Sequence, residues 1–344
     1  MLQNLLTDEQ LTGLKGLLLN KDNIVVIGHV SPDGDAMGSC LAWADYLTGQ
    51  GKNVSVVMPN HAPDFLKWLP GAYRIVYGAD HPAAVERILD EADLVCCIDF
   101  AEAKRVQDMT PLLQAAKAPR LVIDHHLNPD ADFATAMLIS RPGASSASEL
   151  VFRVILQLGG YPRLTTKAAT CIYCGIMTDT GNFAWGSDDP ELYQIVSMLM
   201  RKGINKDKIY RHVFYSYSEN RLRFMGYTLS ERFRMLADGK AAILTMSRPD
   251  MERFHYLRGD SEGWVNMPLQ IKGCRLSIFL REDTERDVIR VSLRSVDDVP
   301  CNKMAAEFFN GGGHLNASGG ELPFPMEEAI RTAEQAVEAY KDLL

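Results

Sequence analysis

Three short apolar runs in this chain each end on groups that bind protons or metals. NIVVIGH closes on His29, DLVCCID on Asp99, and RLVIDHH on Asp124, His125 and His126. Stretches with helical spacing, AMGSCLAWADYLTGQG and HPAAVERILDEA, lie among them, together with the further apolar runs NVSVVM and RIVYG. Strands buried on both faces read as continuous apolar runs. Strands that alternate with helices build a parallel sheet flanked by helices on both faces. In such a sheet all carboxyl ends meet one edge, and ligands gather outside that edge. The expected fold class is therefore α/β, with its chemistry at the strand ends.

From about Ser145 the pattern becomes helical, in SSASELVFRVILQLGG, TTKAATCIYCGIMTD, DPELYQIVSMLMRKG and NKDKIYRHVFYS. SENRLRFMGYTLSERFRML has apolar residues at helix spacing and predicts a connecting helix. After Asp238-Gly239, the segments KAAILTM, CRLSIFLRE and VIRVSLRSV predict strands. CNKMAAEFFNGGG predicts a helix ending in glycines, and PMEEAIRTAEQAVEAYKDLL a closing helix. A length of 344 residues fits two domains at roughly 100–200 residues each. We place a catalytic domain at 1–205, a helical linker at 206–235 and a smaller α/β domain at 236–344.

The acids and histidines form one constellation. GHVSPDGDAMGS supplies His29, Asp33 and Asp35, with Pro32 and Gly34 shaping the loop and Gly38 and Ser39 opening the next helix. CCIDF supplies Asp99, VIDHH supplies Asp124, His125 and His126, and GIMTDTGNF puts Asp179 at the end of a helix. A lone Asp after a strand is usually a turn or helix-capping residue. Two sets, H-x-x-x-D-x-D and D-H-H, after separate strands are a different matter. Gathering so many carboxylates without cations is costly. Imidazole with carboxylate and no thiolate suits Mn, Mg, Zn or Fe. Two such ions sharing a carboxylate activate water for attack on phosphorus, so these residues predict metal-assisted phosphoester hydrolysis. Asp124 either touches a metal or orients a neighbouring histidine.

In the second half, GGGHLNASGG would let backbone N–H groups approach a phosphate closely, at Gly311, Gly312 and Gly313, with His314 as an added donor. Arg294, in SLRS, has the planar fork that matches a phosphate. Ser145 and Ser146 precede a helix and are expected to cap it.

Other readings are excluded or weakened. The net charge of −8 gives no basic track for a long nucleic acid. Seven cysteines at no disulfide spacing suit a reducing, cytoplasmic setting. Cys171-x-x-Cys174 has the spacing of a redox pair or zinc half-site, but it sits in a helical, apolar context that predicts core thiols. The first helix, MLQNLLTDEQLTGLKGLLLN, has no basic n-region or cleavage site, and no apolar run reaches membrane-spanning length.

GHVSPDGDAMGS, CCIDF, VIDHH and TDTGNF resemble, in order, the four motifs of the DHH phosphoesterase superfamily. NGGGHLNASGG, Asn310 to Gly320, resembles the signature of the associated DHHA1 substrate-binding domain. The likeness covers nearly the whole chain, at the length of the nanoRNA phosphodiesterase and pAp phosphatase subgroup. It implies that His29, Asp33 and Asp99 hold one metal. Asp35, Asp99, His125 and Asp179 would hold a second, with Asp99 bridging and His126 beside the scissile phosphate. The implied ions are two divalent metals, manganese foremost and magnesium as the alternative. The implied substrates are very short RNA, linear pApA and 3′-phosphoadenosine 5′-phosphate, gripped in a cleft between the domains. Dimers are common in such relatives. A polyphosphatase or pyrophosphatase and a non-catalytic nucleotide sensor are the competing readings.

Overall fold

The computed structural model describes residues 2–344. The first half runs α1 (Asp8–Leu19), β1 (Asn23–Ile27), α2 (Gly34–Gly49), β2 (Asn53–Met58), β3 (Val76–Tyr77), α3 (Pro82–Asp90), β4 (Leu94–Ile98), α4 (Thr110–Ala115), β5 (Arg120–Asp124) and β6 (Met137–Ser140). Four helices follow: α5 (Ala147–Gln157), α6 (Thr166–Asp179), α7 (Pro190–Arg201) and α8 (Lys206–Phe214). The second half runs α9 (Glu219–Glu231), β7 (Phe233–Leu236), β8 (Ala241–Met246), α10 (Arg248–Arg253), β9 (Leu276–Glu282), β10 (Val288–Ser295), α11 (Cys301–Phe308), β11 (Gly312–His314), β12 (Ala317–Pro323) and α12 (Met326–Ala339). The chain divides into two compact units, one ending at Ser216 and the other beginning at Tyr217.

The first unit holds a six-stranded sheet in the order β3-β2-β1-β4-β5-β6, every pair parallel. Side chains alternate across it. Ile24 and Val26 pack on the side of α2, α5 and α6, while Val25 and Ile27 pack on the side of α3 and α4. Cys96 and Cys97 divide in the same way and are both core thiols. The chain order reverses between β1 and β4. That is the point where a doubly wound sheet opens a crevice at its carboxyl edge.

The second unit is a mixed sheet, β11-β12-β10-β9-β8-β7, in which only β8 and β9 run parallel. α11 and α12 cover one face, and Phe224 of α9 helps cover part of the other with Trp264 and Phe279.

Three segments differ from expectation. The connecting helix stops at Glu231, and Phe233–Leu236 is an edge strand paired antiparallel with β8. The expected linker thus splits, α8 lying in the first unit and α9 with β7 in the second. The apolar residues of RFRML fit helix spacing but also alternate in and out, and pairing to β8 decides between them. The glycines expected to end a helix fall beyond α11, and Gly312 and Gly313 lie in a hairpin of β11 and β12. Gly34 and Gly38 lie inside α2, whose N-cap is Asp33, so the loop-shaping role expected of Gly34 falls to the residues before it.

Candidate metal centre

β1, β4 and β5 are neighbours, so the residues following each arrive side by side at one edge. His29 follows β1, Asp99 follows β4, and His125 and His126 follow β5. Asp99 takes a left-handed backbone at φ 67°, which costs a non-glycine residue about 1–2 kcal/mol. Its N–H donates to Ile123 O at 2.9 Å, which locks the turn to β5. Strain of this kind collects at functional sites, where the surroundings over-determine it.

Asp33 caps α2, its Oδ1 accepting from the N–H groups of Asp35 and Ala36 at 3.0 Å, and its side chain stays half exposed. Asp35 is buried in the first turn of α2. Its carboxylate accepts N–H bonds from Ala147 at 2.6 Å and Ser148 at 2.8 Å, the first turn of α5. A helix N-terminus is a favourable seat for an anion. Ser146 caps that helix, its Oγ accepting from Glu149 N at 3.0 Å. Ser145 N donates to Glu149 Oε2 at 2.8 Å.

α6 brings Asp179 to the same place by very close packing on α2. A Cβ on Gly38 would lie 2.4 Å from Cys171 O. A Cβ on Gly175 would lie 2.0 Å from Ser148 Oγ and 2.8 Å from Asp35 Oδ1. Only bare backbone fits at either point, so these glycines set the distance between Asp35 and Asp179.

The polar atoms converge. His29 Nε2 lies 3.3 Å from Asp99 Oδ2 and 4.0 Å from Asp33 Oδ2. His125 Nε2 lies 3.4 Å from Asp99 Oδ1, 3.4 Å from Asp179 Oδ2 and 3.9 Å from Asp35 Oδ2. Three groups therefore bring ligand atoms within 4.8 Å of one another: His29 with Asp33 and Asp99, Asp35 with His125 and Asp179, and Asp99 with His125 and His126. Asp99 joins the first group to the third. His29 Nδ1 meets Val30 O at 2.8 Å and His125 Nδ1 meets Ala144 O at 3.3 Å. Anchoring Nδ1 to a carbonyl orients each ring and leaves Nε2 facing the carboxylates, in position to ligate a metal. Asp124 Oδ1 meets His126 Nδ1 at 2.8 Å, so Asp124 is bound to His126 and belongs to none of the three groups.

The electrostatics fit divalent cations. Burial pulls the His29 pKa down, but the hydrogen bond its ring donates to Asp99 and the charges of Asp33 and Asp99 win and hold it at about 9. His125 is likewise raised against burial by Asp99, Asp179 and Asp35. Burial, then the charge on Asp99, lifts Asp35 to about 7. Burial, then Asp35, lifts Asp179. Asp99 is held well below the carboxylate range: burial opposes its charge, but His125 and His29 overcome that. Asp99 Oδ1 is enclosed and makes no hydrogen bond of good geometry, with His125 Nε2 at 3.4 Å and His126 Nδ1 at 3.6 Å. That oxygen and an all-nitrogen-and-oxygen donor set match a pair of hard or borderline divalent ions.

The DHH family N-terminal domain matches residues 23–176, and the DHHA1 domain matches residues 240–341. The chain belongs to the DHH family of phosphoesterases. The "bifunctional oligoribonuclease and PAP phosphatase NrnA" of Bacillus subtilis is 29% identical, over 90% of this chain and 92% of that protein. A protein of the same name from Thermus thermophilus is 28% identical, over 91% and 89%. The crystal structure of an exopolyphosphatase-related protein from Bacteroides fragilis is 47% identical with a TM-score of 0.94, covering 99% of both chains.

The remaining site candidates of this DHH protein lie in the DHHA1 unit. Arg294 pairs with Ala317 across β10 and β12, and His314 pairs with Ala317 across β11 and β12. Paired residues share a face, so Arg294 and His314 flank one alanine about 10 Å apart at two strand spacings. In the row two residues along that face, Ser292, Gly319 and Gly312 stand in line. The opposite face carries Val291 and Leu293 into the core. The three glycines of the run are not equivalent. A Cβ on Gly311 would lie 1.8 Å from Gly319 O, and Gly313 has φ 142°, but a Cβ on Gly312 meets nothing within 4 Å. Packing explains the first two and leaves Gly312 without a structural reason. Arg294 Nη1 donates to Leu293 O at 2.9 Å.

All seven cysteines are free and buried. Burial pushes the Cys174 thiol up to about 12 and raises Cys171 as well, the opposite of what a redox pair needs. Among the described residues, no helix is long and apolar enough to cross a membrane.

Motif reading missed Trp185, which is 49% exposed. Its indole N–H donates to Asp179 O at 2.9 Å, and its ring lies where a Cβ on Gly181 would be, 2.0 Å away. The only trace in sequence is an aromatic six residues after the acid in a Gly/Asn turn.

Proposed function

We propose that this DHH protein hydrolyses phosphoesters of short nucleotides with two divalent ions, manganese foremost. The substrates are RNA of a few residues, linear pApA and 3′-phosphoadenosine 5′-phosphate. The observation that carries the proposal is the set of three overlapping ligand groups, two of them joined through Asp99. His29, Asp33 and Asp99 would hold one ion, and Asp35, Asp99, His125 and Asp179 the other. Ions held there supply Lewis acidity toward a phosphoryl oxygen and make water acidic enough to attack phosphorus near neutral pH.

The chain's own groups do the rest. Asp99 keeps its charge throughout, so its one carboxylate would be available to both ligand groups. Asp124 orients His126 through Nδ1, which leaves Nε2 to exchange a proton with the oxygen that leaves phosphorus. The bare face between Arg294 and His314, with Gly312 at its floor, gives a phosphate close access to backbone and two flanking donors. The names borne by the relatives from B. subtilis and T. thermophilus agree with these substrates.

A second reading, hydrolysis of pyrophosphate or polyphosphate, is favoured by the name of the 47% identical protein from B. fragilis. A substrate panel with Mn²⁺ separates the two. It compares 3′-phosphoadenosine 5′-phosphate, dinucleotide to pentanucleotide RNA, linear and cyclic dinucleotides, pyrophosphate and polyphosphate. Release of phosphate from the bisphosphate and of mononucleotides from RNA is expected. Turnover confined to pyrophosphate or polyphosphate overturns the nucleotide reading.

A further inference from the structure

The loop that carries Asp179 continues into three consecutive residues with left-handed backbone, Gly181, Asn182 and Phe183, at φ 53°, 60° and 65°. Such a run is unfavourable for L-residues, and here it is pinned from all sides. Asn182 N donates to Met177 O at 2.7 Å, Phe183 N to Thr180 Oγ1 at 3.0 Å, and Ser187 Oγ to Phe183 O at 3.1 Å. The turn presents Asn182 outward. Among the described residues its side-chain amide has no hydrogen-bond partner, and it lines an open groove of about 530 Å³ on the first unit, with Asn205, Lys206, Asp207, Tyr210, Arg211 and Tyr215.

The groove has the makings of a nucleotide site. The Tyr215 ring is 72% exposed and meets Tyr210 edge to face, with centroids 5.2 Å apart at 88°. That contact covers at most one face of Tyr215 and leaves the other for a base. Lys206 is spoken for by Asp207 at 3.1 Å. Among the described residues Arg211 is exposed and has no ion-pair partner, so its guanidinium can take a phosphate or stack on a base. Free Asn amides pair with the edges of bases. Aromatic stacking beside a cation is how proteins hold single strands without reading sequence. The groove starts close to the metal centre along the chain: Asn182 is three residues past Asp179, so at 3.8 Å per residue their Cα atoms lie within about 11 Å.

We propose that this groove is a second nucleotide subsite, taking a base and phosphate from the part of a short RNA strand that extends past the metal centre. The proposal rests on the nucleotide reading of the metal site and deepens it by assigning a determinant of strand length. A bisphosphorylated mononucleotide has no further residue to place there, whereas a pentanucleotide does.

The test is a full-length Tyr215→Ala/Arg211→Ala variant, both changes being on exposed side chains, with Tyr215→Phe as the conservative control. The readout is kcat/KM for a pentanucleotide RNA divided by kcat/KM for 3′-phosphoadenosine 5′-phosphate. The double variant should lower this ratio about tenfold, within the range of one lost base stack, and Tyr215→Phe should restore it. A ratio within about twofold of wild type, on the same scale, overturns the subsite. If the wild type cleaves neither substrate, the nucleotide reading itself has failed. Anisotropy of a fluorescein-labelled five-nucleotide RNA with chelator-treated protein then decides the groove alone. Weaker binding by the double variant supports it, and absent binding, or equal binding by both proteins, overturns it.

Discussion

Raising the pH should loosen the protein when it is stripped of metal and leave it firm when metal is supplied. His29 sits at about 9 in the folded chain against 6.5 ordinarily, and one pKa unit is 1.36 kcal/mol. Its proton therefore contributes about 3 kcal/mol to the metal-free fold. That contribution is complete below pH 6.5, where the unfolded chain is also protonated, and is lost as the pH climbs through about 9. His125, also raised, acts in the same direction. Asp35, lifted from 3.8 to about 7, adds its own loss between those values as it ionises in place. Asp99 works the other way, but its contribution is lost only in strong acid, far from this window. For a unit of about 200 residues, 3 kcal/mol corresponds to a fall in Tm of about 6–12 °C. Divalent ions need the imidazoles neutral, so their binding displaces these protons and strengthens as pH rises. Thermal scans of chelator-treated protein from pH 6.5 to 9 should show the fall, and the same scans with excess Mn²⁺ should not. Calorimetric titration of Mn²⁺ at pH 7, in two buffers of different ionisation enthalpy, should show at least one proton released per chain. A Tm that rises with pH in the stripped protein, or metal binding without proton release, would refute the charge balance argued for the cluster.

Three substitutions probe other links. Asp99→Ala removes the one carboxylate shared between ligand groups, so hydrolysis should disappear and bound metal should fall below two ions per chain by elemental analysis; near-normal turnover defeats the two-ion scheme. Gly175→Ala forces a methyl to within 2.0 Å of Ser148 Oγ and 2.8 Å of Asp35 Oδ1; overpacking of about 1–3 kcal/mol is expected, read as a lower Tm together with weaker metal binding, and a variant with native values of both would show that the α2–α6 spacing is not critical. Trp185→Phe keeps a ring over Gly181 and deletes the N–H on Asp179 O, so metal affinity should fall about fivefold for one hydrogen bond of about 1 kcal/mol, while an unchanged Kd would remove Trp185 from the support of Asp179.

The sheet of the first unit was plain in the sequence because parallel strands have a strong signature. NIVVI, LVCCI and RLVID are mostly apolar and lead straight into the acids and imidazoles of the candidate site. Placement of the candidate metal ligands at strand ends followed from that rhythm. What the sequence hid was set by contacts distant along the chain. Nothing local says that Gly38 and Gly175 face each other, or that Asp35 receives two N–H bonds from α5. RFRML satisfies a helix and a strand equally, and only its partner β8 selects the strand. GGGHLNASGG reads as a loop because glycine has no side chain to show an in–out pattern. Its register beside β10 emerges only when Arg294, Ala317 and His314 are seen in one row.

Asp99 shows why the cluster needs both its strands and its helices. An extended residue at the end of β4 would carry its side chain along the pleat, away from at least one neighbour. The left-handed turn, fixed by Ile123 O, lets one oxygen face His29 from β1 and the other face His125 from β5. Two strand spacings thus bring two candidate ligand groups onto one carboxylate. Strands alone supply too few ligands for two ions, and the others come from helix ends: Asp33 and Asp35 where α2 begins, Asp179 where α6 stops. Helix ends can reach this place only if α2 and α6 pack at backbone contact, which is what Gly38 and Gly175 allow. The strained turn and the glycine contact therefore serve a single requirement, the gathering of four carboxylates where the proposed cations would bind. Losing either should separate the two subsites before it unfolds the sheet beneath them.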